Sequence, residues 1–135
     1  MMKSSKWLQG VLCLAGGIAI LIGASILRSP TTFYALNHID LGDNLNLLSE
    51  VRAPAGFLLA SGLLIVMGAF VSQLTFSSIL LATVLYFSYG LARLAGMAID
   101  GLPGQSLIWA DVIELNLGVL CLIFLCRSWS RLHRS

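Results

Sequence analysis

Charged residues are scarce in this sequence: only 10% of its 135 residues are Asp, Glu, Lys or Arg. Soluble domains carry roughly 25% charged residues, and a small soluble fold has a large surface to cover for its volume. The mean hydropathy is +0.91, and 58% of the residues are hydrophobic. The composition therefore excludes an ordinary soluble domain and indicates a chain embedded in lipid.

Several sequence signatures of common function classes are also missing. The chain has no Gly-rich phosphate loop, no paired CxxC cysteines, no HExxH and no GxSxG. Its net charge of +2 is too small to indicate nucleic-acid binding. The two histidines, His38 and His133, are predicted on opposite sides of the membrane and cannot share a metal ion. We therefore expect no metal site, no cofactor and no nucleic-acid partner.

Long apolar runs occupy most of the chain. They cover residues 7–27, 53–71, 76–99 and 107–126. Each run exceeds or approaches the length that crosses ~30 Å of hydrocarbon at 1.5 Å per residue. The connections at 72–75 and 100–106 are short, which forces neighbouring helices to be antiparallel. The sequence therefore predicts an all-α fold, a single integral membrane domain over residues 1–135, built as an up-down-up-down four-helix bundle.

The residues at the start of the first two spans indicate how each span begins. A basic start followed by an apolar run is also typical of a secretory signal peptide. The run is long for a signal peptide, and Ile22 is bulky for a cleavage site, so we expect an uncleaved anchor. Asn44 and Asn46 are candidate N-caps, which places the beginning of the second span's helix before the hydrocarbon.

The first outer loop, residues 28–52, is the one long connection. Ser29 fits an N-cap and Pro30 fits the first position of a helix. A short helix here would place Phe33 and Tyr34 at the membrane surface, where aromatic side chains favour sitting. We therefore predict a short interfacial helix in this loop.

The basic residues predict the orientation of the bundle. Lys3, Lys6, Arg127, Arg131 and Arg134 fall at the same end after four crossings. The positive-inside rule places such an end in the cytoplasm. All six acidic residues then fall in or near the opposite leaflet. We predict a multi-pass protein of a bacterial inner membrane with cytoplasmic N- and C-termini.

Ionisable side chains inside the spans are the strongest functional signal. Arg93 lies seven residues before Asp100, and Glu114 lies seven residues after Leu107, so both are ~10 Å below the outer ends of their helices. A charge in mid-span costs at least ~2.5–3.5 kcal/mol on insertion scales and needs a partner or water. Because the two helices are joined by a short turn, we predict an Arg93–Glu114 ion pair.

Further polar residues extend this pair into a predicted polar nest that opens toward the outer side. Its candidate ligand-binding residues are Glu50, Arg52, Tyr89, Arg93, Asp111 and Glu114. The charges could serve only to hold the helices in register. They could also form a site for a small molecule or ion, because intramembrane ionisable groups often mark such paths. A third interpretation is a membrane enzyme that uses Asp111 or Glu114 as acid or base.

Small residues recur every four positions on two helices: Ala15, Ala19 and Gly23 on the first, Gly56 and Ala60 on the second. This spacing lets helix backbones approach closely. The partners of these faces are other helices of the bundle, a second copy, or subunits of another membrane protein. Membrane lipids are expected to cover the remaining outer surface of the bundle.

Two segments carry a resemblance to a known family. They are residues 46–56, from Asn46 to Gly56, and residues 93–103, from Arg93 to Pro103, followed by an acidic fourth span. Residues 44–125 resemble a family of small four-helix bacterial membrane proteins known only as a domain of unknown function, similar in architecture to the DoxX-like membrane proteins. The resemblance implies no activity. The matching positions are Glu50, Arg52, Gly56, Arg93, Asp100, Gly101, Pro103 and Glu114.

These observations favour a non-enzymatic inner-membrane protein that acts as an accessory or assembly subunit of a larger membrane complex. The basis is short loops, small-residue faces and the lack of any cofactor motif. The alternative is a small carrier or binder of an anionic or lipid-like ligand at the polar nest around Arg93 and Glu114.

Overall fold

The computed structural model describes residues 5–134, and this part of the chain is helical without any strand. The helices are α1 (Lys6–Arg28), α2 (Pro30–Ala35), α3 (Leu45–Phe70), α4 (Thr75–Asp100) and α5 (Gln105–Leu132). The predicted all-α helical bundle is confirmed. Lys3, which contributed to the predicted orientation, lies outside the described residues.

Four of the helices, α1, α3, α4 and α5, are long and apolar enough to cross a membrane. They contain 23 to 28 residues and are therefore ~35–42 Å long. Large apolar side chains remain on the outside of the bundle; Leu21 is 68% exposed, Phe57 60% and Trp109 64%. Such an apolar exterior is stable only in lipid. The chain is a multi-pass membrane protein.

Local capping residues set where α2 and α3 begin. The Asn44 side chain accepts hydrogen bonds from the backbone N–H groups of Asn46 and Leu47, at 3.1 and 3.2 Å, so α3 begins at Leu45. Ser29 precedes Pro30 at the start of α2, as predicted. Its hydroxyl pairs with the Thr32 hydroxyl at 2.7 Å rather than capping the backbone.

Residues 36–44 return the chain from α2 to α3 and lie at the same end of the bundle as the α4–α5 turn. We call this the loop end, and the opposite end, where α1 begins and α5 finishes, the terminal end. Leu41 is buried and anchors the segment. Asp40 accepts a hydrogen bond from the N–H of Gly42, whose positive φ of 55° suits glycine. The segment therefore stays folded over the loop end.

The closest helix contact is between α1 and α3. A Cβ added to Gly16 or Gly23 would lie 2.7–2.8 Å from carbonyl oxygens of α3, and one added to Gly62 would lie 2.7 Å from the Gly16 carbonyl oxygen. Glycine at these positions lets the two backbones touch. Within the described part of the chain, a Cβ added to Gly56 would have nothing within 4 Å, and Ala60 is exposed, so this second small-residue face is not packed against α1, α4 or α5.

The helices form two pairs, because α1 packs mainly on α3 and α5 mainly on α4. The pairs are joined by α3 and α4, where the Thr75 hydroxyl donates to the Gly68 carbonyl and the Ser78 hydroxyl to the Leu64 carbonyl, both at 2.8 Å. By contrast, α1 touches α4 and α5 only lightly. Side chains fill the space between the pairs in the terminal half, whereas the loop half contains a cavity. The buried residues of the terminal half include Leu12, Ile65, Ile79, Leu117 and Cys121.

Candidate functional site

A cavity of about 590 Å³ lies between the two helix pairs in the loop half of the bundle. All four spanning helices contribute to its walls. Phe33, Tyr34, Asn37 and Ile39, from α2 and the segment after it, cover its loop end. We refer to this space as the loop-end cavity.

One side of the loop-end cavity is apolar. It is built by side chains of α1 and α3, among them Ile18, Ile22, Ile26 and Leu58. These positions follow helical periodicity, since 18, 22 and 26 recur every four residues on α1. This wall offers hydrophobic contact and no charge.

The opposite side carries the polar groups. Tyr86, Tyr89 and Arg93 project from α4 at spacings of three and four residues, and Glu114 projects from α5. The Tyr86 hydroxyl donates a hydrogen bond to the Ala15 carbonyl on α1 and forms the floor of the cavity. The cavity is therefore amphipathic, with its hydrogen-bonding groups on the α4–α5 side.

The Arg93–Glu114 ion pair predicted from the sequence is confirmed. Arg93 Nε donates to Glu114 Oε2 at 3.0 Å; the Arg93 side chain is 34% exposed and that of Glu114 is 14% exposed. An arginine has five N–H donors, and within residues 5–134 only Nε of Arg93 is hydrogen-bonded. The pair neutralises both charges and leaves most of the guanidinium free to contact a molecule in the cavity.

Asp111 lies beside the cavity rather than in its wall. The residue is only 3% exposed, and its Oδ1 has no hydrogen-bond partner among the described residues. A Cβ added to Gly90 on α4 would lie 3.5 Å from Asp111 Oδ1 and 2.5 Å from Leu115 Cδ2, so glycine here makes room for α5. Asp111 is therefore enclosed in the α4–α5 interface, one turn from Glu114.

Two of the predicted site residues, Glu50 and Arg52, are not brought to the cavity. Both are exposed on the first turns of α3. The face of α3 that lines the cavity carries Val51, Ala55 and Leu58. Positions 50 and 52 are each rotated ~100° from Val51, in opposite directions. The structure therefore brings together Tyr89, Arg93 and Glu114, places Asp111 next to them, and leaves Glu50 and Arg52 apart.

The predicted site lacked Tyr86 of α4, Ser106 of α5 and the cavity residues of α1, α2 and the segment after α2. Tyr34 was predicted at the membrane surface, whereas its side chain lines the cavity. Ser106, at the beginning of α5, donates to Asn37 Oδ1 at 2.8 Å and holds the covering segment to α5. The spacing of residues 86, 89 and 93 was a usable signal for Tyr86, but no sequence feature pointed to Asn37.

Comparisons with known proteins give a family without an assigned activity. No curated protein and no solved structure matches this chain. A family described as Domain of unknown function (DUF4345) matches over residues 7–125. This confirms the predicted resemblance to a family of unknown function, while its bacterial and DoxX-like aspects stay predictions. Because the match covers most of the sequence, the chain belongs to the DUF4345 family.

Proposed function

We propose that this protein is a membrane-embedded binder or carrier of a small lipid-like molecule held in the loop-end cavity. The observation that carries the proposal is the cavity itself: about 590 Å³, apolar on one side and polar on the other. Small-molecule sites are clefts of roughly 300–1,000 Å³ with mostly apolar walls and a few placed polar groups. The loop-end cavity has this size and chemistry.

The position of the ion pair supports binding over a purely structural role. Charged groups within a membrane span tend to face a cavity or a partner, and they mark ligand or ion paths. Arg93 and Glu114 face both a partner and a cavity, since they pair with each other and line the loop-end cavity. A pair that served only to join α4 to α5 would satisfy its donors within that interface, whereas Arg93 uses one donor there.

The test is to fill the cavity and measure what copurifies with the protein. Ala110 lines the cavity, and Ala95 is exposed on α4 outside it. Ala110→Trp should occlude the cavity, while Ala95→Trp adds the same side chain to the surface. After extraction in mild detergent, mass spectrometry of the retained lipids should show a species enriched with the wild type and Ala95→Trp and lost with Ala110→Trp. Equal retention by all three proteins would overturn the proposal.

A second candidate function is that of an accessory or assembly subunit of a larger membrane complex. The observation that favours it is the small-residue face at Gly56 and Ala60, which none of the described helices α1 to α5 covers. The test is the mass and composition of the particle in mild detergent. A stoichiometric complex with other proteins would support this function, and a lone monomer or homo-oligomer would count against it.

The proposed location is a bacterial inner membrane, with both termini in the cytoplasm. Among the described residues, Lys6, Arg127, Arg131 and Arg134 lie at the terminal end. Basic residues flanking spans favour the cytoplasmic side. In this orientation the loop-end cavity lies in the outer half of the bilayer.

A further inference from the structure

We propose that the molecule bound in the loop-end cavity is an uncharged amphiphile whose head carries hydrogen-bond acceptor oxygens, such as those of an ester or carbonyl group. This inference rests on the proposed binding function and specifies the ligand class. It departs from an anionic ligand, which an arginine within a span first suggests. Three features of the cavity carry it: charge balance, donor excess and the light packing of α1 on α5.

The charge balance of the cavity disfavours ions of either sign. Among the described residues, the cation in its wall is Arg93, which is already paired with Glu114 at 3.0 Å. An anionic head would compete with Glu114 for the guanidinium and expose that carboxylate to repulsion. A cationic head finds no unpaired carboxylate among the lining residues that the structure describes, since Asp111 is enclosed between α4 and α5. Because uncompensated charge is costly away from water, a neutral head fits best.

The uncommitted polar groups of the cavity are mainly donors. Beyond Nε, the N–H groups of Arg93 have no hydrogen-bond partner among the described residues, and the hydroxyls of Tyr34 and Tyr89 have none either. Asn37 accepts from Ser106 through Oδ1, which leaves its amide N–H groups free to donate. A head with several acceptor oxygens would satisfy these donors.

Light packing between α1 and α5 leaves an edge of the cavity at which an alkyl chain could reach the surrounding lipid. Leu21 on α1 and Ile113 on α5 both line the cavity, yet they are 68% and 50% exposed on the outside of the bundle. They lie seven and eight residues from the loop ends of their helices, so both are ~10–12 Å deep. Because α1 and α5 touch only lightly, an alkyl chain can pass between them while the head stays near Arg93.

The proposal can be tested with probes that share one chain and differ in the head. The full-length protein in lipid nanodiscs would be titrated with radiolabelled 1-monododecanoylglycerol. The competitors, at equal mole fraction in the bilayer, would be methyl dodecanoate, dodecanoate and dodecyltrimethylammonium. We expect saturable binding of the monoacylglycerol, competition by the methyl ester, and at least about tenfold weaker competition by both ions. Equal or stronger competition by either ion would overturn the proposal.

A charge variant makes a second, independent test. Glu114→Gln keeps the side-chain volume but leaves Arg93 without its counter-charge. Dodecanoate should then gain about tenfold in affinity relative to the monoacylglycerol, compared with the wild type. Glu50→Gln, an exposed site on α3, is the matched control and should alter neither affinity. Unchanged dodecanoate binding to Glu114→Gln would contradict the role given to the pair.

Failure of the ligand class can be told apart from failure of the binding function. If none of the probes binds saturably, the inference about the head is overturned. The proposed function is then tested separately, by whether the wild type retains a lipid that Ala110→Trp loses.

Discussion

At the scale of single residues, Arg93 is suited to combine its ion pair with the proposed ligand contact. Its Nε fixes the contact with Glu114, while its other N–H groups remain beside the cavity. A lysine at this position would present a single ammonium, which could not hold Glu114 and contact a second molecule with the same geometry. The structural and the binding interpretations of the pair are therefore compatible.

Removing one member of the pair should destabilise the bundle. Arg93→Ala leaves Glu114, which is only 14% exposed, without a partner. We expect a loss of about 2 kcal/mol in the free energy of unfolding and a lower folded yield. Replacing both Arg93 and Glu114 with leucine should restore most of the lost stability and yield, since no charge remains unpaired. Denaturant titration in detergent measures both effects.

The double leucine variant also separates structure from function. If it folds like the wild type but no longer retains the copurifying lipid, the pair has a binding role beyond stability. If it is as unstable as Arg93→Ala, the unpaired charge is not the reason for the instability.

Asp111 differs from the pair because its Oδ1 has no partner among the described residues. A buried polar atom without a hydrogen bond costs free energy that an apolar side chain of similar shape does not. Asp111→Leu should therefore stabilise the protein by about 1 kcal/mol in the same denaturant titration. A clear decrease in stability would show that Asp111 makes favourable interactions in the folded state.

At the scale of helices, two adjacent glycines of α1 provide a matched comparison. Gly16 faces α3, where an added Cβ would lie 2.7 Å from the Gly62 carbonyl oxygen, whereas Gly17 has nothing within 4 Å. Gly16→Leu should push α1 from α3 and cost about 3 kcal/mol, at the upper end of the effect of overpacking. Gly17→Leu should be neutral or slightly stabilising. Thermal unfolding in detergent distinguishes them, and equal effects would contradict the packing described.

The elements that could be predicted from the sequence are those fixed by local chemistry. Asn44 and Ser29–Pro30 mark where helices begin, and the apolar runs set their number. Arg93 and Glu114 could be paired because each lies seven residues from the predicted end of its span and a short turn joins the two spans. Glu50 and Arg52 could not be placed, because the direction of a side chain depends on the rotation of α3 about its axis. Packing against α1 decides that rotation.

The cavity itself could not be predicted for a related reason. It exists because α1 packs closely on α3 and only lightly on α5. That difference depends on Gly16, Gly23 and Gly62 acting together across two helices. The sequence showed only one small-residue face on each helix, and on α3 the predicted face, at Gly56 and Ala60, is not the one that packs on α1.

At the scale of the whole molecule, the predicted orientation can be tested by cysteine labelling. In a variant without the native cysteines, Ile39→Cys lies in the segment after α2 and His133→Cys lies just after α5. A maleimide that cannot cross membranes should label position 39 in intact spheroplasts and position 133 only after permeabilisation. Labelling of position 133 alone in intact spheroplasts would show that the orientation is opposite to the predicted one.

The arrangement of Arg93, Asp111 and Glu114 on α4 and α5 has a consequence for biogenesis. Inserted alone, α4 would carry an unpaired arginine into the hydrocarbon, at a cost of about 2.5–3.5 kcal/mol. Entering together as a hairpin, α4 and α5 bring the arginine and its carboxylate into the bilayer already joined. Insertion of α4 and α5 as one unit is therefore favoured over insertion of α4 alone. The ion pair would then form before the bundle is complete.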